Sequence, residues 1–460
     1  MSVVNAIPLI AAGDDGYSLS RSLRFRQSAT AYLSRTYATP TSTTIGTISF
    51  WYKRGLIGNS DLVTAFGTVS TTTGNGPYLQ FTTNGALRFV DQSSDVITSA
   101  FFRDPAAWYH FVLAIDTTQA TAANRLKFYV NGVQITSFSS ATYGAQNYAS
   151  NILASGTQYI GYSQPSNARG SDGYMAEVNF IDGQALTPSS FGAYSIYNQW
   201  LPKKYAGTYG TNGFYLPFTN NASTTTLGYD FSPQGNNWTT NNISVTAGST
   251  YDSMTDVPTL TSATAANYAV LNPLDKGTTI TVQSGNLEAS ISTTHNGVRN
   301  TFQVPTTGKW YWEITNGSTT GSNVILSFGL ATSVASMNTY DYNTTGTYSL
   351  YASTNLQIIS NGSGGITFGS AISSGTVCGI AYDATNGQLY LAVANTYYNS
   401  AGSGTGDPAG GTNATMAVAS SLGLFPYEHI YADTFNANFG QRPFTYTPPS
   451  GYVALNTFNL

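Results

Sequence analysis

The sequence predicts an all-β protein made of two antiparallel β-sandwich domains with very little helix. Strand-like runs of about four to eight residues, rich in Tyr, Phe, Val, Ile and Thr, alternate with turns rich in Gly, Asn and Ser. Two dipeptides, Asn131-Gly132 and Asn386-Gly387, each separate a pair of such runs and are typical of type I′ hairpin turns. In addition, only 8 % of the residues are charged, against about 25 % in an average soluble protein.

The two hairpins allow strand pairing to be predicted residue by residue. A two-residue turn at Asn131-Gly132 pairs Val130 with Val133 and Phe128 with Ile135, which predicts one buried and one solvated face. The solvated face then carries Lys127, Tyr129 and Gln134. In the second hairpin, the same reasoning places Ile380, Tyr382 and Ala384 opposite Val393, Leu391 and Leu389, respectively.

The charge balance indicates which partners the protein avoids. The formal net charge is −4, and no basic stripe of the kind that nucleic acid selects is present. The densest basic stretch, Arg21–Arg26, alternates with apolar residues and predicts a first strand with one solvated face. Ser, Thr, Asn, Gln, Gly and Tyr then provide the polar surface, which is typical of an extracellular or virion surface.

The cysteine content and the absence of apolar segments bear on location. Cys378 is the one cysteine, and its apolar surroundings predict a buried small side chain rather than a nucleophile. The first ten residues lack the basic region and long apolar core of a signal peptide. No run approaches the roughly 18 apolar residues of a membrane span, so we expect no membrane insertion.

Composition divides the chain into an N-terminal arm (1–20), a first sandwich (21–200), a connector (201–263) and a second sandwich (264–460). The connector is rich in Gly, Asn, Thr and Pro but also carries many aromatic residues, which predicts an ordered segment pressed onto domain surfaces. Thr187 followed by Pro188 predicts one short helix at the end of the first sandwich.

Five segments of the first sandwich resemble the concanavalin A-like, laminin G-type jelly roll. The most specific is Asp172–Phe191, and the others are Ile48–Arg54, Trp108–Val112, Phe128–Gly132 and Ile160–Ser163. The resemblance implies a jelly-roll sandwich of a class that includes both lectins and β-glucanases.

The second sandwich resembles a SPRY domain, and its fullest signature is the tail Asn438–Asn456. Gly308–Ile314, Phe328–Ala331 and the hairpin from Val377 to Leu391 are similar to further strands of that family. The order of jelly roll, connector and SPRY domain resembles a family of tailed-phage virion proteins that are described as tail-fibre-like or lectin-like. This resemblance implies location in a virion that is assembled in the bacterial cytoplasm.

The strand Glu177–Asp182 is the nearest match to the catalytic strand of the related glucanases. Glu177 and Asn179 share a face by alternation, but Asn stands at the middle carboxylate position and Asp182 lies in a turn dipeptide. Retaining hydrolysis needs two carboxyl groups about 5–5.5 Å apart. We therefore predict no catalytic residues and no enzymatic activity.

The sequence also predicts no metal site and no cofactor. His110, His295 and His429 are far apart and are expected to be structural. Asp95, Asp116 and Asp172 are conceivable calcium ligands, but no loop concentrates oxygen atoms, and Asx-turn capping explains Asp116 and Asp383. The Gly-rich segment 400–411 lacks the lysine of a phosphate-binding loop.

Tyrosines are the candidate ligand-binding residues, because they combine a flat apolar face with a hydroxyl. Tyr340, Tyr342, Tyr397 and Tyr398 are predicted to lie in loops and to form a binding surface. Equally, they could close the ends of the sandwiches or contact a neighbouring subunit. Trp310 and Trp312 alternate with Tyr311 and are expected in the core.

Three hypotheses follow for function. The first is a phage tail fibre or appendage protein that contacts host-surface glycan or protein through sandwich loops, with several copies per virion. The second is a purely structural head decoration or head fibre that binds other virion proteins, and the third is a polysaccharide hydrolase. A homo-oligomer is expected, and a trimer only by analogy with fibres.

Overall fold

The computed structural model describes residues 16–57, 63–68, 77–163 and 170–460, and it divides them into two compact units. The first unit contains the described residues up to Thr246 together with Thr250–Asn267. The second contains Tyr268–Leu460 together with Ala247–Ser249. Most of the predicted N-terminal arm, residues 1–15, lies outside the described residues.

The first unit consists of two large antiparallel sheets and a small hairpin. One sheet has the order β10-β9-β8-β3-β13-β1-β18 with β16 beside β13, the other has the order β11-β7-β6-β5-β4-β12-β2-β17, and β14 pairs with β15. The strands are β1 (Ser22–Phe25), β2 (Tyr32–Tyr37), β3 (Ile45–Arg54), β4 (Val63–Thr68), β5 (Tyr78–Phe81), β6 (Ala86–Asp91), β7 (Ser94–Phe101), β8 (Trp108–Asp116), β9 (Leu126–Val130), β10 (Val133–Ile135), β11 (Phe138–Thr142), β12 (Gly156–Ile160), β13 (Gly173–Asp182), β14 (Gly192–Tyr194), β15 (Trp200–Pro202), β16 (Phe214–Leu216), β17 (Thr239–Asn241) and β18 (Ser253–Met254).

The second unit repeats the two-sheet architecture. One sheet has the order β19-β22-β32-β24-β25-β26-β27, and the other has the order β20-β21-β33-β23-β28-β29-β30 with β31 beside β29 and β34 beside β23. The strands are β19 (Leu271–Lys276), β20 (Thr281–Gln283), β21 (Glu288–Ser290), β22 (Asn296–Asn300), β23 (Lys309–Asn316), β24 (Ile325–Thr332), β25 (Thr347–Ala352), β26 (Leu356–Ser360), β27 (Ser363–Phe368), β28 (Val377–Asp383), β29 (Gln388–Val393), β30 (Thr396–Tyr398), β31 (Met416–Ala417), β32 (Leu424–Tyr431), β33 (Thr434–Asn438) and β34 (Val453–Ala454). The predicted all-β class is confirmed.

Helix is confined to short turns within the described residues. They comprise the α-helix α1 (Thr224–Leu227) and the 3₁₀ turns Gln27–Ala29, Ala122–Asn124, Pro188–Ser190, Asp341–Asn343 and Ser420–Leu422. The predicted helix after Thr187 is therefore a single 3₁₀ turn. The Thr187 side chain does not cap it and instead contacts the Ser189 hydroxyl at 2.9 Å.

The first hairpin has the predicted register. Val130 pairs with Val133 and Phe128 with Ile135, and Asn131 and Gly132 have φ values of 46° and 82°, as a type I′ turn requires. Phe128 is buried, whereas Val133 at the tip of the sheet is 59 % exposed. The face that carries Phe128 and Val133 is therefore buried at Phe128, away from the turn, and exposed at Val133, next to the turn.

The prediction that the opposite face of this hairpin is solvated holds for Gln134, which is exposed, but is wrong for Tyr129. Tyr129 is buried there in a cluster with Val112, Ile181, Phe191 and Tyr209, among others. The later segments 186–215 cover the face, which alternation within a single strand cannot reveal. The first strand shows the same effect, because Arg24 is fully buried and its Nε donates to Asp252 at 3.0 Å.

The segment 201–263 lies in the first unit, except for Ala247–Ser249. It contributes β16, β17 and β18 to the two sheets. Phe214, Phe218 and Trp238 belong to the core between the sheets, together with residues such as Phe50 and Phe180. Its large apolar side chains are ordered because they complete this core.

The second hairpin differs from its predicted register by two residues. Ile380 pairs with Leu391 and Tyr382 with Leu389, so the loop has four residues instead of two. Asp383 closes this loop by accepting hydrogen bonds from the backbone and side-chain nitrogens of Asn386 at 3.0 and 2.9 Å. The expected Asx-type capping by Asp383 is confirmed. Its hydrogen bonds stabilise the four-residue loop in place of the predicted two-residue turn.

Candidate functional site

Tyr340 immediately precedes the 3₁₀ turn Asp341–Asn343, and Tyr342 lies within it, in the loop between β24 and β25. Their side chains are exposed, at 40 % and 37 % of their full areas, respectively. Between them, the Asp341 carboxylate turns inward and accepts hydrogen bonds from the hydroxyls of Ser327 and Ser349 on the sheet below. Burial raises the pKa of Asp341. The loop is thus fastened from beneath, and the two tyrosines project from a fixed base.

The two tyrosines form part of a continuous aromatic row with His295 and Tyr431. The ring centroids of Tyr340 and Tyr342 are 5.3 Å apart, those of His295 and Tyr340 are 3.5 Å apart, and those of His295 and Tyr431 are 4.4 Å apart. The row brings together a loop, the residue before β22 and the end of β32. Tyr340 and Tyr342 were predicted as candidate binding residues, but the sequence had not connected His295 and Tyr431 with them.

The aromatic row borders a groove of about 590 Å³ in the second unit. Its walls combine hydroxyl, amide and aromatic side chains and include no Asp, Glu, Lys or Arg. They are formed by Thr278, Thr279, Thr294, His295, Asn296, Asn338, Thr339, Tyr340 and Asn343.

Hydrogen bonds between the walls fix the shape of the groove. The Asn338 side-chain oxygen accepts from the Thr278 backbone at 2.8 Å. The Asn296 side-chain oxygen accepts from the backbone and hydroxyl of Thr279 at 3.0 and 2.8 Å. The three loops that meet here are therefore cross-linked before any ligand arrives.

The histidines differ from the expectation that all three are isolated structural residues. His295 and His429 lie together, with ring centroids 5.3 Å apart, and His295 also lines the groove. Within the described residues, His295 Nδ1 has no hydrogen-bond partner. Burial lowers the pKa of His295 to about 4 and that of His429 to about 3, so both rings are neutral at pH 7.

His110 matches the structural interpretation. Its Nδ1 accepts from the Trp200 indole at 3.0 Å, so the proton of the neutral ring is on Nε2, which donates to Ser49 Oγ at 2.9 Å. Burial lowers its pKa to about 3. Cys378 is likewise buried, as predicted, and burial raises the pKa of its thiol.

Tyr397 and Tyr398 lie on the edge strand β30, not in a loop as predicted. Tyr397 packs against the cluster that contains Tyr311 and Tyr390. The Tyr398 ring instead lies beside the Phe368 ring, with the two ring centroids 4.9 Å apart. Because adjacent strand residues point to opposite faces, the two rings do not form one platform. Both are half-buried.

Glu177 lies at a β-bulge in β13, which interrupts the alternation that the sequence suggested. Ala176 pairs with Trp51 and Asn179 with Ser49, so Glu177 and Val178 together stand opposite Phe50 alone and β13 contains one extra residue. Asp182, the other candidate carboxylate, accepts backbone N–H groups of Thr41 at 2.8 Å and Asn212 at 3.0 Å. Its oxygens hold two loops together.

The three aspartates that were conceivable calcium ligands have separate roles. Asp95 pairs with Arg88 at 2.6 Å, Asp116 accepts from Thr118 at 3.1 Å, and Asp172 accepts from the Gln27 backbone at 3.3 Å. Across the part of the chain that the structure describes, no three His, Cys, Asp or Glu side chains form a metal-binding group. Among the same residues, no helix is long and apolar enough to cross a membrane.

Comparisons with known proteins give a family match for part of the first unit. No curated protein matches the chain. Solved structures similar to it include the SPRY domain of human HERC1, at 12 % identity, with 36 % of this chain and 96 % of that chain covered and a TM-score of 0.27. A second human SPRY domain is 14 % identical, with coverages of 35 % and 94 % and a TM-score of 0.25. A heptameric SAP-like pentraxin from Limulus polyphemus is 16 % identical, with coverages of 34 % and 71 % and a TM-score of 0.25. Residues 27–190 match the family model of the concanavalin A-like lectin/glucanases superfamily, which supports a laminin G-type domain in this part of the chain.

Proposed function

We propose that the chain is a virion appendage protein of a tailed phage that binds a neutral host-surface glycan reversibly through the groove of its second unit. The observation that carries the proposal is the exposed face of Tyr340 beside a ring of hydroxyl and amide side chains. A sugar offers an apolar ring face and a rim of hydroxyls. Aromatic side chains match the first, and Thr and Asn side chains match the second.

The electrostatics of the groove favour an uncharged ligand. No acidic or basic side chain lines it, and His295 is neutral at pH 7 because burial lowers its pKa to about 4. An acidic sugar would lose hydration there without gaining a counter-charge. We therefore expect affinity that depends little on salt concentration, since screening acts on charged pairs.

The virion setting is supported by the charge-poor composition and by the resemblance of the domain order to phage virion proteins. Other virion proteins and further copies of the chain are then the expected partners, with the trimer resting on analogy alone. Weak single sites suit this arrangement, because several copies on one particle raise the overall affinity. Reversible recognition without catalysis fits a groove that lacks carboxylates.

Binding to immobilised neutral oligosaccharides of glucose, galactose, mannose and N-acetylglucosamine tests the proposal. We expect at least one to bind, and Tyr340→Ala to lower the affinity about fivefold, since a stacked aromatic contact contributes about 1 kcal/mol. Tyr340→Phe keeps the ring and should bind almost normally. Tyr194→Ala removes a tyrosine of the first unit that is 45 % exposed and serves as the control.

Two results would contradict the proposal. One is the absence of binding to every neutral oligosaccharide, and the other is equal binding by wild type and Tyr340→Ala. For the virion setting, purified protein should slow adsorption of its phage to host cells. No slowing at saturating protein would favour a purely structural virion role.

A further inference from the structure

The bulge in β13 places Glu177 in an unfavourable backbone conformation. Its φ is +52°, in the left-handed region that costs a non-glycine residue roughly 1 kcal/mol or more. The residue is only 2 % exposed and lies on the face of the sheet that Tyr209 and Tyr215 help to cover. A buried acid in a strained position calls for a physical explanation.

The Glu177 carboxyl group forms a closed ring of three short contacts with two tyrosine hydroxyls. Tyr17 Oη is 2.6 Å from Oε1, Tyr215 Oη is 2.8 Å from Oε2, and the two hydroxyl oxygens are 2.7 Å apart. Each contact at such a distance needs one proton between its oxygens. Two neutral tyrosines supply two protons, and a carboxylate supplies none.

The third proton therefore has to belong to the glutamic acid. In the complete ring, Glu177 donates from Oε1 to Tyr17, Tyr17 donates to Tyr215, and Tyr215 donates to Oε2. Ionisation of Glu177 makes both tyrosines donate to the carboxylate, and the contact between the hydroxyls is left with two facing lone pairs. One of the three contacts must then lengthen or break.

We propose that Glu177, Tyr17 and Tyr215 form a three-proton latch that fastens the segment around Tyr17 to the sheet and opens when Glu177 loses its proton. Tyr17 belongs to the segment before β1, whereas Tyr215 lies in β16, which is hydrogen-bonded to β13 itself. Leu19 packs against Trp51, and its N–H donates to Thr259 at 3.0 Å while the segment is fastened.

The surroundings put the opening within the physiological range. Burial raises the pKa of Glu177 to about 7, although hydrogen bonds from Tyr17 and Tyr215 and the charge of Lys204 on the covering segment oppose this rise. Arg21 and Lys204 line a small pocket of about 220 Å³ beside the ring. Tyr209 lies on the same side, and burial raises its pKa, as it does for Tyr17 and Tyr215, so these phenols stay neutral.

Hydrogen exchange of the amides of residues 16–20, corrected for intrinsic rates, tests the latch between pH 5.5 and 8.5. We expect wild-type protection to fall about tenfold over this range, since a group with a pKa near 7 is almost fully ionised at pH 8.5. An infrared band of a protonated carboxyl group should disappear with the same midpoint and should be absent in Glu177→Gln.

Glu177→Gln is the matched control, because its amide completes the ring without a titratable proton. The Gln N–H donates to Tyr17 and its oxygen accepts from Tyr215, so protection should be high at every pH. Tyr17→Phe breaks the ring and should show low protection at every pH. Protection that does not change with pH in the wild type, or that falls equally in Glu177→Gln, would overturn the proposal.

Discussion

Glu177 should make the stability of the first unit depend on pH in a direction that its surroundings determine. The pKa of Glu177 rises from an ordinary 4.5 to about 7 in the folded protein. The native state therefore binds this proton more tightly than the unfolded chain does. The resulting stabilisation is complete below about pH 4.5 and is lost as the pH rises through 7. The two values correspond to roughly 3 kcal/mol, at about 1.4 kcal/mol per pH unit.

The comparison of wild type with Glu177→Gln isolates this contribution, because all other titrating groups are common to both proteins. Hydrogen exchange of the β13 amides, measured peptide by peptide, gives a free energy of opening for the first unit alone. We expect the difference between Gln and Glu variants to shift by roughly 3 kcal/mol in favour of Gln between pH 4.5 and 8.5. A difference that stays constant to within about 1 kcal/mol over that range would show that Glu177 titrates normally and refute the reasoning.

Two further substitutions test the packing of the first unit. Lys53 and Asp256 form a fully buried ion pair at 2.7 Å, so Lys53→Met should destabilise the unit by about 3–5 kcal/mol in urea unfolding, because a buried carboxylate loses its cation. Lys53→Met combined with Asp256→Leu should be distinctly milder, and equal losses would contradict this account. Gly132→Ala would place a methyl group 2.5 Å from the Trp200 ring, whereas Gly235→Ala, also at positive φ, meets no atom within 4 Å. We expect a melting temperature lower by several degrees for Gly132→Ala than for Gly235→Ala, and identical values would argue against the contact with Trp200.

The sequence determined strand identity and local register where turn chemistry left one choice. Asn131-Gly132 fixed the first hairpin because a type I′ turn admits a single pairing. The same dipeptide at Asn386-Gly387 misled the prediction by two residues, because Asp383 closes a longer loop by capping Asn386. The dipeptide alone carries no information about an acceptor three residues upstream.

The candidate site was only half predictable, because its members come from distant parts of the chain. Tyr340 and Tyr342 could be proposed from their local pattern, whereas His295 joins them only through the pairing of β22 with β32. Nothing local to the sequence indicates that His295 and His429 stack. The bulge at Glu177 was equally hidden, since regular alternation is the default assumption for a strand.

The few charged residues explain why interior groups dominate the expected pH response. Arg24, Lys53, Asp252 and Asp256 are all fully buried, so a substantial part of the small charged complement is used inside the first unit. Surface titration is then weak, and few exposed charges compete with buried ones across the physiological range. Buried acids whose pKa burial raises, such as Glu177 and Asp91 in the first unit and Asp341 and Asp433 in the second, are for that reason expected to control how the protein responds to pH.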